Sequence, residues 1–306
     1  MHTILSNAYS NYNKSALNQA FDDCERLFEG DFAGYLACDT LYHDKQHTMD
    51  MTLALARLIS GHERSVAKDD RIGAERAVVA IITALYHDSG YMRHNNDHQH
   101  FNGAEYTSTH VTRSADFIKR YLHKINMGKY IQFAANMVHY TGYEIAPQDL
   151  RLPDEKWHLL GHMLGTADLI AQMSDRCYLE KCRDRLYPEF VLGGLSIRVD
   201  SDGHEKVLYN SGEDLLRRTP AFYENEAESR LNKLFNSVYT YEIAHFDGER
   251  HYINGLGKNQ AFLKKVLKSE DFSMLRRKPP ENYGTKNFPG LEAFFNKHPL
   301  KKVKRG

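Results

Sequence analysis

Apolar residues recur at helical spacing along most of the chain. In the segment 48–65, Met51, Leu55, Leu58 and Ile59 fall on one side of a helix. The segment 72–88 is nearly continuous in alanine, valine, isoleucine and leucine, which predicts a buried central helix ending at Ser89-Gly90. The same periodicity predicts further helices at 104–122, 130–140, 156–182, 223–241 and 259–267.

Two stretches interrupt this helical pattern. The polar segment 93–103 (RHNNDHQHFNG) predicts a loop. Between 194 and 209, LSIRV and HEKVLY flank DSDG, which predicts a small β-hairpin. We therefore expect an all-α fold with one hairpin. Prolines and clustered basic residues predict that 271–306 is a basic, irregular tail after a single helical domain at 1–270.

Composition narrows the partners that we expect. The 306 residues carry 40 basic and 40 acidic side chains, so no overall charge favours nucleic acid or an anionic membrane. The four cysteines form no CxxC pair, which is typical of free thiols in a reducing compartment. The first residues lack a signal-peptide pattern, and no apolar run could span a bilayer. We expect a cytoplasmic protein with no membrane partner.

Two segments carry residues suited to metal chemistry: YHDKQHTMDM at 42–51 and LYHDSGY at 85–91. An adjacent His-Asp pair at the end of an apolar helix is unusual, because charged groups are rarely buried unless they are paired or bound to metal. Successive predicted helices offer further imidazole or carboxylate groups, and helical bundles build two-metal sites in this way. Such ligands suit Fe, Mn, Zn or Mg. The candidates are His47, His87, Asp88, His110, His139 and Asp168.

This ordered set resembles the HD superfamily of metal-dependent phosphohydrolases, whose pattern is a histidine, a His-Asp pair and a later aspartate. The resemblance covers 42–182 and implies a helical bundle that holds two divalent metal ions. It implies that Asp88 bridges the two metals and is therefore also catalytic. One metal would be held by His47, His87 and Asp168, and the other by His110 and His139.

The segment YHDKQHTMDM also looks like the YHNxxHxxDV segment of class I cyclic-nucleotide phosphodiesterases. Tyr42, His43, His47 and Asp50 match it, whereas Asp44 replaces the asparagine. The likeness implies that His43 is a general acid that protonates the leaving oxygen. Since His43 and His47 are four residues apart, both would face the same way on a helical turn.

These features predict a phosphohydrolase, with a phosphodiesterase acting on a nucleotide or cyclic nucleotide favoured. The ligand expected is a small-molecule phosphate ester and not a nucleic acid; association of identical chains stays open. Two alternatives also stay open. Some HD-fold proteins, in the myo-inositol oxygenase branch, use the same six ligands to hold two irons. The other alternative is a non-catalytic nucleotide sensor, against which the intact ligand set argues, since a sensor can lose its ligands. The His43 motif favours hydrolysis.

Other histidines and cations are weaker candidates. The loop histidines His94, His98 and His100 could form another metal site, but such a run is more often solvated. His158 and His162 have a ligand-like spacing on a predicted helix, yet without the glutamate of HExxH they are better interpreted as surface residues or as residues that support the ligands from behind. Lys45 or Arg93 could stabilise the negative charge of a phosphate group.

Overall fold

Helices make up most of the fold. The computed structural model describes residues 1–199, 202 and 204–280. In chain order the α-helices are α1 (His2–Ala8), α2 (Lys14–Glu29), α3 (Lys45–Ser65), α4 (Ala74–Leu85), α5 (His110–Lys124), α6 (Ile131–Met137), α7 (Glu155–Ser174), α8 (Tyr178–Lys181), α9 (Tyr187–Leu192), α10 (Gly212–Phe222), α11 (Glu242–His245) and α12 (His251–Ser269). The prediction of an all-α fold is confirmed.

Short helical turns of other types connect these helices. The 3-10 turns are Lys68–Asp70, Ser89–Tyr91, Gly103–Tyr106, Gly128–Tyr130, Val138–Thr141, Pro147–Asp149, Val238–Tyr241 and Phe272–Met274. The π-helical turns are Cys182–Leu186, Tyr223–Ala227 and Arg230–Leu234. The continuous helix predicted at 223–241 is therefore a succession of π and 3-10 turns. None of the helices in the described ranges combines the length and hydropathy that a bilayer crossing requires.

The predicted hairpin is also confirmed. Strand β1 (Ile197–Val199) pairs antiparallel with β2 (Glu205–Val207), and Ile197 lies opposite Val207. This two-stranded sheet follows α9 and precedes α10.

The main core lies around α4, as the apolar run predicts. Every residue from Ala77 to Leu85 is buried. On either side of α4 the core is continued by α2, α3, α6 and α7, and α3 packs along α7. Burial of this many aliphatic side chains supplies most of the driving force for folding. The helices α3, α4 and α7 are thereby fixed relative to one another.

A second apolar cluster joins the C-terminal helices α8, α10 and α12. Its buried members include Leu179, Leu216 and Leu263. Phe272 and Leu275 belong to the same cluster, so the first residues of the predicted tail pack onto the helices. The rest of that predicted tail, 281–306, lies outside the described residues, and the boundary at 270 stays a prediction.

Two helix ends differ from the prediction. The central helix α4 ends at Leu85, so His87 and Asp88 lie in the turn that follows it. In this turn a side chain pairs with a backbone carbonyl just beyond the end of the helix: the Ser89 hydroxyl donates to the Tyr86 carbonyl at 2.7 Å. The segment 156–182 is likewise divided, because Asp175 interrupts it and its carboxylate accepts the Cys177 N–H at 2.9 Å.

Candidate metal centre

His47 is positioned by the cap of α3. Asp44 precedes the helix, and its carboxylate accepts the His47 N–H at 2.8 Å. The second carboxylate oxygen of Asp44 lies 3.4 Å from the buried guanidinium of Arg185. Asp44, which replaces the asparagine of the phosphodiesterase-like segment, is thus a helix cap with its own counter-ion. The first turn of α3 points His47 toward the end of α4.

His87 is fixed by a backbone contact in the turn after α4. Its Nδ1 lies 2.8 Å from the Ala84 carbonyl, which can only accept, so Nδ1 carries the proton. The lone pair is therefore on Nε2. His110, the first residue of α5, has the same arrangement, with Nδ1 at 2.7 Å from the Thr107 carbonyl. Histidine ligands of metals are commonly oriented by such outer contacts.

Gly90 lets this turn approach α5. A β-carbon at Gly90 would lie 1.8 Å from the His110 carbonyl oxygen, so any side chain there would force the turn and α5 apart. The Gly90 N–H donates to the Ser114 hydroxyl at 2.8 Å, and Arg113 donates to the Gly90 carbonyl at 2.7 Å. This docking brings His110 to Asp88.

Three of the predicted ligands, His47, His87 and Asp88, form one cluster whose ligand atoms all lie within 4.8 Å of one another, and Asp168 lies beside His47 and His87. His47 Nε2 lies 3.3 Å from Asp88 Oδ2 and 3.3 Å from Asp168 Oδ1. His87 Nε2 lies 3.1 Å and 3.9 Å from the same two oxygens. Two ligands at ~2.1 Å from one ion and ~90–110° apart lie roughly 3.0–3.4 Å from each other. The spacing in this cluster matches a common metal ion.

The hydrogen bonding of the cluster also fits a metal. His87 Nε2 and Asp88 Oδ2 are both buried and have no hydrogen-bond partner among the described residues, although they lie 3.1 Å apart. Because buried polar groups are nearly always satisfied, an orphaned imidazole nitrogen facing an orphaned carboxylate oxygen indicates a ligand between them. The donor set of two imidazoles and two carboxylates suits Fe, Mn or Zn.

Asp88 faces two directions. Its Oδ2 belongs to the cluster with His47 and His87, whereas its Oδ1 lies 3.8 Å from His110 Nε2. A carboxylate with one oxygen toward each group can bridge two ions. The possible metal position between Asp88 and His110 has fewer candidate ligands nearby than the position beside His47 and His87.

His139 is not brought to this second position. It is buried in the turn Val138–Thr141, and its Nδ1 has no hydrogen-bond partner within the described ranges. The charged groups that act on its ring are Glu144, Lys119 and Asp116, and burial lowers its pKa. Its assignment as a second-metal ligand stays a prediction without support from this geometry.

The charged groups of the cluster shift one another's pKa values. Burial alone would raise the pKa of Asp88, but the rings of His87 and His43 outweigh it, and the pKa lies well below its usual range. Burial alone would lower the pKa of His47, yet the nearby carboxylates of Asp168 and Asp88 raise it to about 10. Without metal, His47 therefore carries a proton at neutral pH. A metal ion must displace it.

His43 lies beside the cluster and is held by a glutamate. Its Nδ1 forms a short hydrogen bond with the fully buried carboxylate of Glu189, on α9. The same carboxylate accepts the backbone N–H groups of Tyr42, at 2.6 Å, and of His43, at 3.3 Å. Burial lowers the pKa of His43, but the charges of Glu189 and Asp88 outweigh it, and the pKa is raised. His43 is therefore predisposed to hold a proton.

Tyr91 packs against both His43 and His110, whose own ring centroids lie 6.2 Å apart. Its ring stacks on His43 at 4.6 Å between centroids and on His110 at 4.4 Å. On the other side of the cluster, Gln172 accepts the Tyr42 hydroxyl at 2.8 Å and donates to Asp168 at 3.3 Å. Aromatic stacking and this amide bridge hold the reactive groups in place.

The cluster opens into a cleft of about 550 Å³. This volume is within the range for small-molecule sites, roughly 300–1,000 Å³. Near the His–Asp cluster it is lined by His43, Asp88, His110 and Asp168. Its outer part is lined by aromatic and basic side chains, namely Tyr143, Phe190, Tyr209, Phe222, Arg218 and Arg230.

The other sequence candidates have different partners. Lys45 pairs with Glu25 at 3.0 Å and Arg93 with Asp39 at 2.8 Å. His100 contacts Asp97 at 3.1 Å, His94 stacks on Tyr35, and His98 is exposed. His158 contacts the Tyr140 hydroxyl at 2.9 Å, and His162 packs against the Tyr140 ring. None of these side chains lines the cleft.

Sequence reasoning missed Glu189, Arg185, Gln172 and Arg230. The first of these had a signal, since YPEFVL places one acidic residue within an apolar segment. A comparison of the chain with models of protein families, with curated proteins and with solved structures gives no match.

Proposed function

We propose that this protein is a metal-dependent phosphoric ester hydrolase of the HD superfamily, most simply a phosphodiesterase acting on a nucleotide or cyclic nucleotide. The observation that carries the proposal is the joint placement of a metal-type cluster and a glutamate-held histidine at one end of a single cleft. Nucleotide-sized ligands fit such a cleft. A cytoplasmic location is part of the proposal, and four buried free thiols support it.

His47, His87, Asp88 and Asp168 would hold one divalent ion, and Asp88 with His110 would contact a second. Bound there, such ions would supply an activated water and neutralise charge on the phosphoryl group. The chain's own contribution is to fix its ligands before the metal arrives. The Ala84 and Thr107 carbonyls set the tautomers of His87 and His110, and Gln172 orients Asp168.

His43 would deliver the proton to the leaving oxygen. Since Glu189 accepts from Nδ1, Nε2 is the ring atom that holds the transferable proton. Because Glu189 and Asp88 raise the pKa of His43, the protonated ring is favoured. Tyr91 fixes the ring plane by stacking. General acids of this kind contribute about 10²–10⁴-fold to a rate.

The pairing of His43 with Glu189 also supports hydrolysis over the oxygenase alternative. A two-iron oxygenase would need the ligand cluster but has no evident use for a protonated imidazole beside it. A sensor would need neither the proton on His43 nor its buried counter-ion.

The proposal is tested by hydrolysis of bis-p-nitrophenyl phosphate with Mn²⁺ or Mg²⁺ added. We expect metal-dependent turnover in the wild type and its loss in Asp88→Ala. Asp22→Ala, at an exposed aspartate of α2, is the matched control and should keep wild-type activity. Absence of turnover in the wild type, together with bound iron and oxygen consumption, would instead favour the oxygenase.

The role of His43 is tested by leaving-group dependence. In His43→Asn we expect a larger loss on diphenyl phosphate than on bis-p-nitrophenyl phosphate, because the poorer leaving group needs protonation more. His98→Asn, at an exposed loop histidine, is the control. Equal losses on the two esters would contradict the general-acid assignment.

A further inference from the structure

Arg230 is a buried guanidinium in the wall of the cleft. The residue is only 8% exposed and begins the π-helical turn Arg230–Leu234. Its Nη2 donates to the Tyr140 carbonyl at 2.8 Å and to the Gly142 carbonyl at 3.0 Å. Its Nε and Nη1 donate to no described residue, although Arg230 lines the cleft. The guanidinium is thus anchored on one side and has donors to spare on the other.

No carboxylate in the described ranges lies within ion-pair distance of this guanidinium, and Asp168 and Glu226 act on its charge only from farther away. Glu226, one turn earlier, is exposed and makes no ion pair with it. The face of the guanidinium is covered instead by aromatic rings, with centroids at 4.3 Å for Tyr143 and 5.0 Å for Phe235. A buried cation without a counter-ion is costly. An anion in the cleft would remove that cost, and arginine is well suited to bind a phosphate or carboxylate through two hydrogen bonds.

The anchor of Arg230 lies one helical turn from a metal ligand. A β-carbon at Gly165 would lie 2.5 Å from the Tyr140 carbonyl oxygen, the group to which Arg230 donates. Gly165 precedes Asp168 by three residues on α7, a rise of about 4.5 Å. The guanidinium is therefore beside the metal cluster and separate from it.

We propose that Arg230 binds a second anionic group of the substrate, a phosphate or a carboxylate, next to the phosphoryl group held at the metal centre. This assignment rests on the proposed function for the position of the first group. The substrate class becomes a phosphate ester with a further negative charge. Tyr143, which is 62% exposed at the cleft, covers Arg230 and would flank the same group.

Calorimetric titration of the Mg²⁺-loaded protein with methylenediphosphonate and with methylphosphonate tests this assignment. Neither probe is hydrolysed, and they differ by one anionic group. We expect the wild type to prefer the diphosphonate and Arg230→Met to bind it about 10- to 100-fold more weakly, the range for loss of a charged hydrogen bond. Binding of methylphosphonate should change little.

Two further variants keep the result interpretable. Arg230→Lys retains the charge and should recover part of the preference, which covers the case that Arg230→Met unfolds. Arg217→Met removes an arginine whose guanidinium lies over Phe272, and it should bind both probes as the wild type does. Equal losses of both probes in the Arg230 variants, or no loss of either, would overturn the assignment.

The two proposals can fail separately. If bis-p-nitrophenyl phosphate is hydrolysed but the preference for the diphosphonate does not depend on Arg230, only the second-anion assignment is wrong. If no ester is hydrolysed and the preference does depend on Arg230, the anion site stands and the hydrolase proposal is wrong.

Discussion

Replacement of Glu189 by glutamine should shift the pH dependence of catalysis. Glu189→Gln keeps the size of the side chain and one acceptor oxygen, but it removes the buried charge that faces His43. A charge-assisted hydrogen bond contributes about 1.5–3 kcal/mol. Since one pKa unit corresponds to about 1.4 kcal/mol, the pKa of His43 should fall by about one to two units.

The sign follows from the role of the proton. His43 is active as an acid only when protonated, so activity is lost as the pH rises through its pKa. Glu189 raises that pKa; its removal should move the loss of activity to lower pH. Near neutral pH, kcat should therefore fall.

The assay is the pH profile of kcat/KM on diphenyl phosphate for the wild type and Glu189→Gln. Glu105→Gln is a matched control, since Glu105 accepts backbone N–H groups at the end of the 93–103 loop. A glutamate that only stabilised the fold would lower activity at every pH without moving the basic limb. An unmoved basic limb in Glu189→Gln would refute the reasoning.

Three further predictions concern metal binding, packing and thiols. In thermal unfolding, a divalent metal at about 100 times its Kd should stabilise the wild type by about 2.7 kcal/mol and should not stabilise Asp88→Asn. Because His47, with its pKa raised to about 10, must lose a proton to bind metal, calorimetry in two buffers should detect proton release, and the metal affinity should rise with pH. Gly90→Ala should destabilise by about 1–3 kcal/mol in urea, because its β-carbon would meet the His110 carbonyl, whereas Gly257→Ala, in open space on α12, should be neutral or stabilising; equal effects would contradict the docking described. The four buried cysteines should react with a thiol reagent only on unfolding, and fast labelling of the native protein would contradict their burial.

The sequence predicted the parts of the fold that depend on local pattern. The continuous apolar run of α4 predicted its burial, and turn residues between two β-rich segments predicted the hairpin. The resemblance to the HD superfamily implied that His47, His87, Asp88 and Asp168 share one site, and their side chains lie close together in the fold.

Other parts depend on contacts that no local pattern carries. Glu189 reaches His43 across 146 residues of chain, and Arg230 reaches Tyr140 across 90. His139 shows a different limit. It lies in a 3-10 turn after α6, where side chains advance by a different angle than in an α-helix, so helical periodicity could not give its direction.

Anomalous diffraction from crystals grown with Mn²⁺ tests the central claim most directly, namely that the His–Asp cluster is a metal centre. The account predicts a peak within bonding distance of His47 Nε2, His87 Nε2 and Asp88 Oδ2, with Asp168 completing the set. Crystals of the Asp88→Asn variant should lack this peak. A wild-type crystal with no peak there, or with its main peak at Asp97 and His100 instead, would contradict the account.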